Sequence, residues 1–194
     1  MKEKFYIVFA GVNGAGKSTL YHSGLWRRAE FPEEMERVNS DEILRQTGGE
    51  WGNTADQLRA MKEAVRRIEE NFILGISFNQ ETTLAGRKCI QDIKRALDLG
   101  FKVVMFYIGV NHPDIANNRI AHRVSVGGHS IEPEVVGRRY KASLGNLQIA
   151  IEICNEVYLF DNSYELTFMR AYRQGQLELD RANSRVAWIQ GLWQ

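Results

Sequence analysis

Two rhythms of apolar residues alternate along the chain. Phe5 to Ala10 is an unbroken apolar run, which predicts a strand buried on both faces. Phe101 to Ile108 (FKVVMFYI) is the clearest strand signal. Glu36–Asn39, Ile76–Gln80 and Glu156–Phe160 predict three shorter ones. Between these runs the spacing becomes helical. Leu58, Met61, Val65, Ile68 and Phe72 predict a long amphipathic helix over Thr54–Gly75. A helix is expected from Lys17, and another over Arg87–Leu99, stopped by Gly100. His112–Val126 and Glu132–Cys154 read as helices divided by GGHS, and a hairpin is expected around RQGQ near the end. Strand and helix alternate throughout, which predicts an α/β fold with a parallel sheet. Ligands then bind at the carboxyl ends of the strands, so the residues after each apolar run draw the attention.

Composition narrows the field. The 194 residues suit one domain, and Lys+Arg 25 against Asp+Glu 24 leaves a net charge of +1. That balance gives no global attraction for nucleic acid or an acidic membrane, so nucleic acid is not an expected partner. Cys89 and Cys154 are far apart, as reduced buried thiols of a cytoplasmic protein would be. FYIVFAGV is too brief for a signal peptide and feeds straight into glycines, and no apolar run would span a bilayer.

The chemistry begins at Gly11. GVNGAGKS fits G-x-x-x-x-G-K-[ST], with a predicted strand before it and a helix after it. Gly11, Gly14 and Gly16 let the loop curl and aim N–H groups at phosphate oxygens, with Asn13 and Ala15 between them. The helix beginning at Lys17 turns its positive end to the same anion, and Thr19 lies in its first turn. Lys17 would meet the β/γ-phosphates and Ser18 would offer its hydroxyl to Mg²⁺. No guanine-reading motif is present, so ATP is the expected nucleotide.

Three later segments suit phosphoryl transfer. Asp41, in NSDEILR, could take a proton from an attacking hydroxyl. It could equally cap a helix, as could Asn39 or Ser40. Glu81, in NQETTLAGR, could act as a degenerate Walker B acid or hydrogen-bond an acceptor hydroxyl, with Thr82 and Thr83 beside it; a polar strand-end turn is the plainer reading. Arg119 and Arg123 share a helix face, and Arg138 and Arg139 open the next helix after the glycine hinge. Guanidinium groups suit phosphoryl oxygens, so residues 112–153 read as a lid, although some of these arginines would equally suit a solvated face. His22, His112, His122 and His129 show no metal spacing. His129 is assigned to shaping the hinge, and Trp188 and Trp193 to packing.

In order, GVNGAGKST, NSDEILR, NQETTLAGR, RIAHRVSVGGHSIEPEVVGRRYKASLGNL and VYLFDNS resemble the zeta toxin family of P-loop kinases in compact form. The resemblance runs from Phe5 to Ser163. It implies a nucleotide-kinase-like P-loop domain over the whole chain, ATP and Mg²⁺ as cofactors, and UDP-N-acetylglucosamine as acceptor. It casts Asp41 as base and Glu81 and Thr83 as acceptor-binding, with Arg45 in the same NSDEILR element. Its lid arginines contact the ATP phosphates, and by position Arg119 or Arg123, together with Arg139, match them. A toxin of this kind also implies an antitoxin in trans. The competing expectations are a metabolic or polynucleotide 5′-hydroxyl kinase and a non-catalytic ATP-dependent switch.

Overall fold

The computed structural model describes residues 3–125, 127–128 and 130–193. One seven-stranded sheet has the order β2-β3-β1-β4-β5-β6-β7. The strands are β1 (Phe5–Ala10), β2 (Glu36–Val38), β3 (Phe78–Thr82), β4 (Lys102–Gly109), β5 (Glu156–Asp161), β6 (Thr167–Arg173) and β7 (Gln176–Asp180). β1 to β5 are mutually parallel, and β6 and β7 join antiparallel at one edge. This is the α/β architecture the apolar rhythm predicts. β1 is central and all six of its residues are buried, because helices cover both faces.

Alternation along the central strands splits the core in two. Tyr6, Val8, Val103 and Met105 face α2 (Ser40–Gln46), α3 (Thr54–Leu74) and α4 (Arg87–Asp98). Phe5, Ile7, Phe9, Val104 and Phe106 face α1 (Lys17–Ser23) and α5 (Pro113–Ser125). α6 (Pro133–Ile153) serves both: Val136 belongs to the second core, and Leu147 and Ala150 to the first. The short helix α7 (Ala187–Gln190) buries Trp188, the packing role expected for it. The side chain of Trp193 lies outside what the structure describes, as do Val126 and His129.

Several boundaries move for identifiable reasons. β3 begins at Phe78, not Ile76. Gly75 ends α3 in the left-handed region, its N–H bonds Phe72 O and the Ile76 N–H bonds Asn71 O, so capping consumes Ile76. β2 ends at Val38 because Asn39 turns away to cap α2. The hairpin around RQGQ is present, and Gln174 and Gly175 both have positive φ, as a type I′ turn requires. The apolar stripe of α3 is not all core: Ile68 and Phe72 are buried, but Leu58, Met61 and Val65 are exposed. Met61 and Val65 instead wall a cavity.

Candidate functional site

The loop after β1 is held open by its glycines. Gly11, Gly14 and Gly16 have φ of 140°, 80° and 106°. A Cβ at Gly14 would lie 2.6 Å from Ala116 O on α5, and one at Gly16 would collide with Asn162 Nδ2. The loop is therefore packed against α5 and the end of β5, with no room for a side chain at Gly14 or Gly16. The Asn162 amide donates to Ala15 O at 2.8 Å, and its own N–H bonds Gly109 O at 2.9 Å. Behind it, Asp161 Oδ1 accepts from Ser163 Oγ and Trp188 Nε1, each at 2.8 Å. Nothing in VYLFDNS marks Asn162 for this part; only the fold brings it to the loop.

Register places the next group. Phe9 pairs with Glu81 and Ala10 with Thr82, so Glu81 emerges beside the start of the glycine loop. Its side chain is 13% exposed and lies among donors. Ser18 Oγ is 3.2 Å from Oε2, Arg37 Nη2 2.6 Å and Asn39 Nδ2 3.1 Å, while Lys17 Nζ is 3.8 Å from Oε1. Arg37 is fixed in turn by Glu42 at 2.8 Å and by stacking 3.6 Å above the Tyr21 ring. As an arginine on an edge strand it carried no signal in the sequence.

Lys17 is buried and donates to Gly11 O at 2.8 Å and Val12 O at 3.2 Å. Burial lowers its pKa, Glu81 and Asp41 oppose that, and Arg123 and Arg139 add to the lowering. Lys17 thus sits within the field of both carboxylates and both arginines. The Asn39 side chain accepts the N–H groups of Asp41 and Glu42 at 2.8 and 3.4 Å, so Asn39 is the cap of α2. The Asp41 carboxylate accepts no hydrogen bond among the described residues, and it lines the cavity.

That cavity, about 370 Å³, is bounded by β3, α2, α3, α4 and the start of α6. Asn13, Lys17, Asp41, Glu81, Thr83 and Arg139 stand together on its wall. Arg139 Nη1 donates to Asn13 Oδ1 at 2.9 Å, and Arg119 Nη1 reaches Gly14 O at 3.5 Å. The predicted lid helices therefore meet the glycine loop. Tyr140 pins α6 by donating to Val110 O at 2.9 Å. Arg45 and Arg138 are different. Arg45 is exposed on the last turn of α2 and does not line the cavity, and Arg138 is exposed beside His112 and Lys141 on another surface. Leu84, buried and with φ of 56°, lies between Thr83 and α4, and its N–H bonds Thr82 Oγ1 at 3.1 Å.

A glycine loop between a central parallel strand and a helix, with Lys17 and Ser18 beside a strand-end carboxylate, defines a P-loop protein of kinase-like fold. The chain belongs to the AAA domain family, which matches residues 7–145. An uncharacterized protein of Haemophilus influenzae is 35% identical over 136 residues, covering 69% of this chain and 91% of that protein. Among solved structures, the AvrRxo1-ORF1:-ORF2 complex with ATP superposes with a TM-score of 0.66 at 16% identity, over 92% of this chain and 60% of that one. The PezAT chromosomal toxin–antitoxin system of Streptococcus pneumoniae gives 0.63 at 16% identity, over 86% of this chain and 71% of that one. At this identity the structural likeness speaks for the fold. No helix among the described residues is long and apolar enough to cross a membrane.

Proposed function

We propose that the protein is an ATP- and Mg²⁺-dependent kinase of the zeta toxin type, which phosphorylates a hydroxyl of a small-molecule acceptor, a nucleotide sugar such as UDP-N-acetylglucosamine. The observation that carries this reading is the Asp41 carboxylate. It faces the cavity beside Lys17 and Glu81, while Asn39 has taken over the capping of α2.

The glycine loop fits a triphosphate: positive φ at Gly11, Gly14 and Gly16 leaves N–H groups free to turn inward. Lys17 would hold the β/γ-phosphates. Ser18 and Glu81, already in contact, suit a Mg²⁺ ion between them, which when bound neutralises charge building on the phosphates. Asp41 accepts the proton of the acceptor hydroxyl as its oxygen bonds to the γ-phosphorus. The bond from that phosphorus to the β-phosphate oxygen breaks and ADP leaves. Arg139, with Arg119 and Arg123 from α5, meets the charge that develops. Thr83 hydrogen-bonds the acceptor near Glu81. A zeta-type enzyme would also be covered by an antitoxin in trans. A polynucleotide acceptor is disfavoured by the cavity wall, where Asp41, Glu81 and Asp92 offset Lys17, Lys88 and Arg139.

Incubation with ATP·Mg²⁺ and a panel of UDP-sugars, nucleosides and 5′-hydroxyl oligonucleotides tests the reading. A UDP-sugar is expected to be phosphorylated, and Lys17→Ala to lower the rate by ~10²–10³-fold with little change in melting temperature. ATP binding with no acceptor phosphorylated would make the protein a switch. Near-normal turnover by Lys17→Ala would remove the nucleotide site from Gly11–Ser18.

A further inference from the structure

One guanidinium links the three elements that carry the candidate groups. Arg37 lies on β2, where alternation sends Val38 into the core with α2, α3 and α4 and turns Arg37 to the opposite face, toward α1. Its side chain is 8% exposed. Nη2 donates to Glu81 Oε2 at 2.6 Å, at the end of β3. Nε donates to Glu42 Oε1 at 2.8 Å, in the first turn of α2 and one residue after Asp41. The guanidinium lies 3.6 Å from the centre of the Tyr21 ring on α1, the helix of Lys17 and Ser18. Tyr21 is itself held, stacked on Trp26 and edge-on to Phe9.

These contacts divide the Glu81 carboxylate unequally. Oε2 accepts from Arg37 and from Asn39 Nδ2 at 3.1 Å, with Ser18 Oγ at 3.2 Å. Among the described residues Oε1 meets only α1, with Lys17 Nζ at 3.8 Å and Ser18 Oγ at 3.4 Å. One oxygen is anchored and the other is offered to the helix of the glycine loop, beside the hydroxyl that would share a Mg²⁺ ion with it. Carboxylates that ligate metals are commonly held from behind by hydrogen bonds, and losing such a partner typically weakens metal binding by roughly 10–100-fold. A cation so near a metal position would also repel the metal. Here Glu42 offsets the charge of Arg37, so orientation outweighs repulsion. A lysine would keep the charge, but its ammonium lacks the planar fork that holds two carboxylates while lying on a ring.

We propose that Arg37 is a positioning residue, which holds Glu81 in register with Ser18 and so sets how strongly the nucleotide site takes its divalent cation. This rests on the reading of Ser18 and Glu81 as the Mg²⁺ position. Arg37 acts through Glu81 and touches neither the metal nor the phosphates.

The test uses the full chain and a non-hydrolysable ATP analogue, whose affinity is measured by calorimetry with Mg²⁺ and again with EDTA. The ratio of the two affinities reads the metal position without any turnover. In the parent, Mg²⁺ should tighten analogue binding by about tenfold or more. Arg37→Gln should lose most of that tightening while its metal-free affinity stays within about threefold of the parent. A merely structural residue would shift both affinities together, and that result would overturn the proposal. Arg37→Lys, the milder change, should lose tightening as Arg37→Gln does. Full recovery by lysine would reduce the role to charge and overturn the positioning. In a Glu81→Gln background, Arg37→Gln should remove no further tightening, because the group it positions is gone. Tightening unchanged or increased in Arg37→Gln would overturn this assignment and leave the kinase reading standing. A parent without tightening, or a Glu81→Gln variant that keeps it, would instead sink the metal position at Ser18 and Glu81, and the role of Arg37 with it.

Discussion

Two glutamates, one buried and one partly buried, hold ion clusters at opposite ends of one sheet. At the amino end of β5, Glu156 is 1% exposed and meets Lys102 at 3.0 Å and Arg173 at 3.2 Å, with Arg28 and the Tyr158 hydroxyl on its other oxygen. At the carboxyl end of β3, Glu81 meets Arg37, Asn39, Ser18 and Lys17. The chemistry is similar and the surroundings are not. The Glu156 cluster is closed, and Arg28 is stacked on the Tyr158 ring at 4.4 Å. The Glu81 cluster opens on a cavity, beside an Asp41 carboxylate that accepts no hydrogen bond among the described residues. A charged cluster that satisfies itself holds a fold together; one beside unspent groups and empty space is suited to a ligand.

Three measurements press on that contrast. The largest effect belongs to the open end. Asp41→Asn keeps the size of the side chain and leaves the Asn39 cap alone, so melting temperature and ATP affinity should hold. Acceptor phosphorylation should fall by ~10²–10⁴-fold if the carboxylate takes the proton. Phosphorylation that persists would leave Asp41 a bystander and make Glu81 the next candidate to test.

At the closed end, Glu156→Gln should leave the turnover per folded molecule unchanged and cost about 1–3 kcal/mol of stability. Burial alone would raise the Glu156 pKa, but hydrogen bonds from Tyr158, Lys102 and Arg28 hold it down, from the ordinary 4.5 to about 2. Its folded pKa is depressed, so its stabilisation is present above about pH 4.5 and is lost as pH falls toward about 2. Acid unfolding monitored by circular dichroism should lose that part of its pH slope in the variant. An unchanged slope would mean the cluster contributes nothing, and the two ends would no longer differ as described.

The smallest effect lies at the glycine loop, on the carboxyl side of the sheet. Asn162→Ala removes a single hydrogen bond to Ala15 O. It should weaken ATP binding several-fold, corresponding to about 0.5–1.5 kcal/mol, with the acceptor KM unmoved. Equal losses for ATP and acceptor would show that the whole site, not the glycine loop, had shifted.

Much of this was legible in the residues. The glycine loop and the buried strand before it depend only on neighbours in the chain, and both stand where local spacing puts them. Asp41, Glu81, Thr83 and Arg139 share a cavity because strand ends converge in a parallel sheet. What local pattern misses is partnership across the fold. Arg37 reads as an exposed charge until Tyr21 and Glu81 close on it. Met61 and Val65 match a core stripe, yet they are exposed on the wall of a cavity. Whether Asn39 or Asp41 caps α2 is settled only by where β2 stops and the chain turns.

The hydrogen bond from Asn162 to Ala15 joins groups 147 positions apart in the chain. During synthesis the glycine loop emerges early, but its brace arrives only after β5, and Trp188, which steadies Asp161, arrives later still. A chain stopped within α6 would carry the complete phosphate-binding sequence and α5 beside it, but not the Asn162 brace. Under the proposed function, full-strength nucleotide binding is therefore a late acquisition of the growing polypeptide, and incomplete chains would bind the same nucleotide less tightly than finished ones.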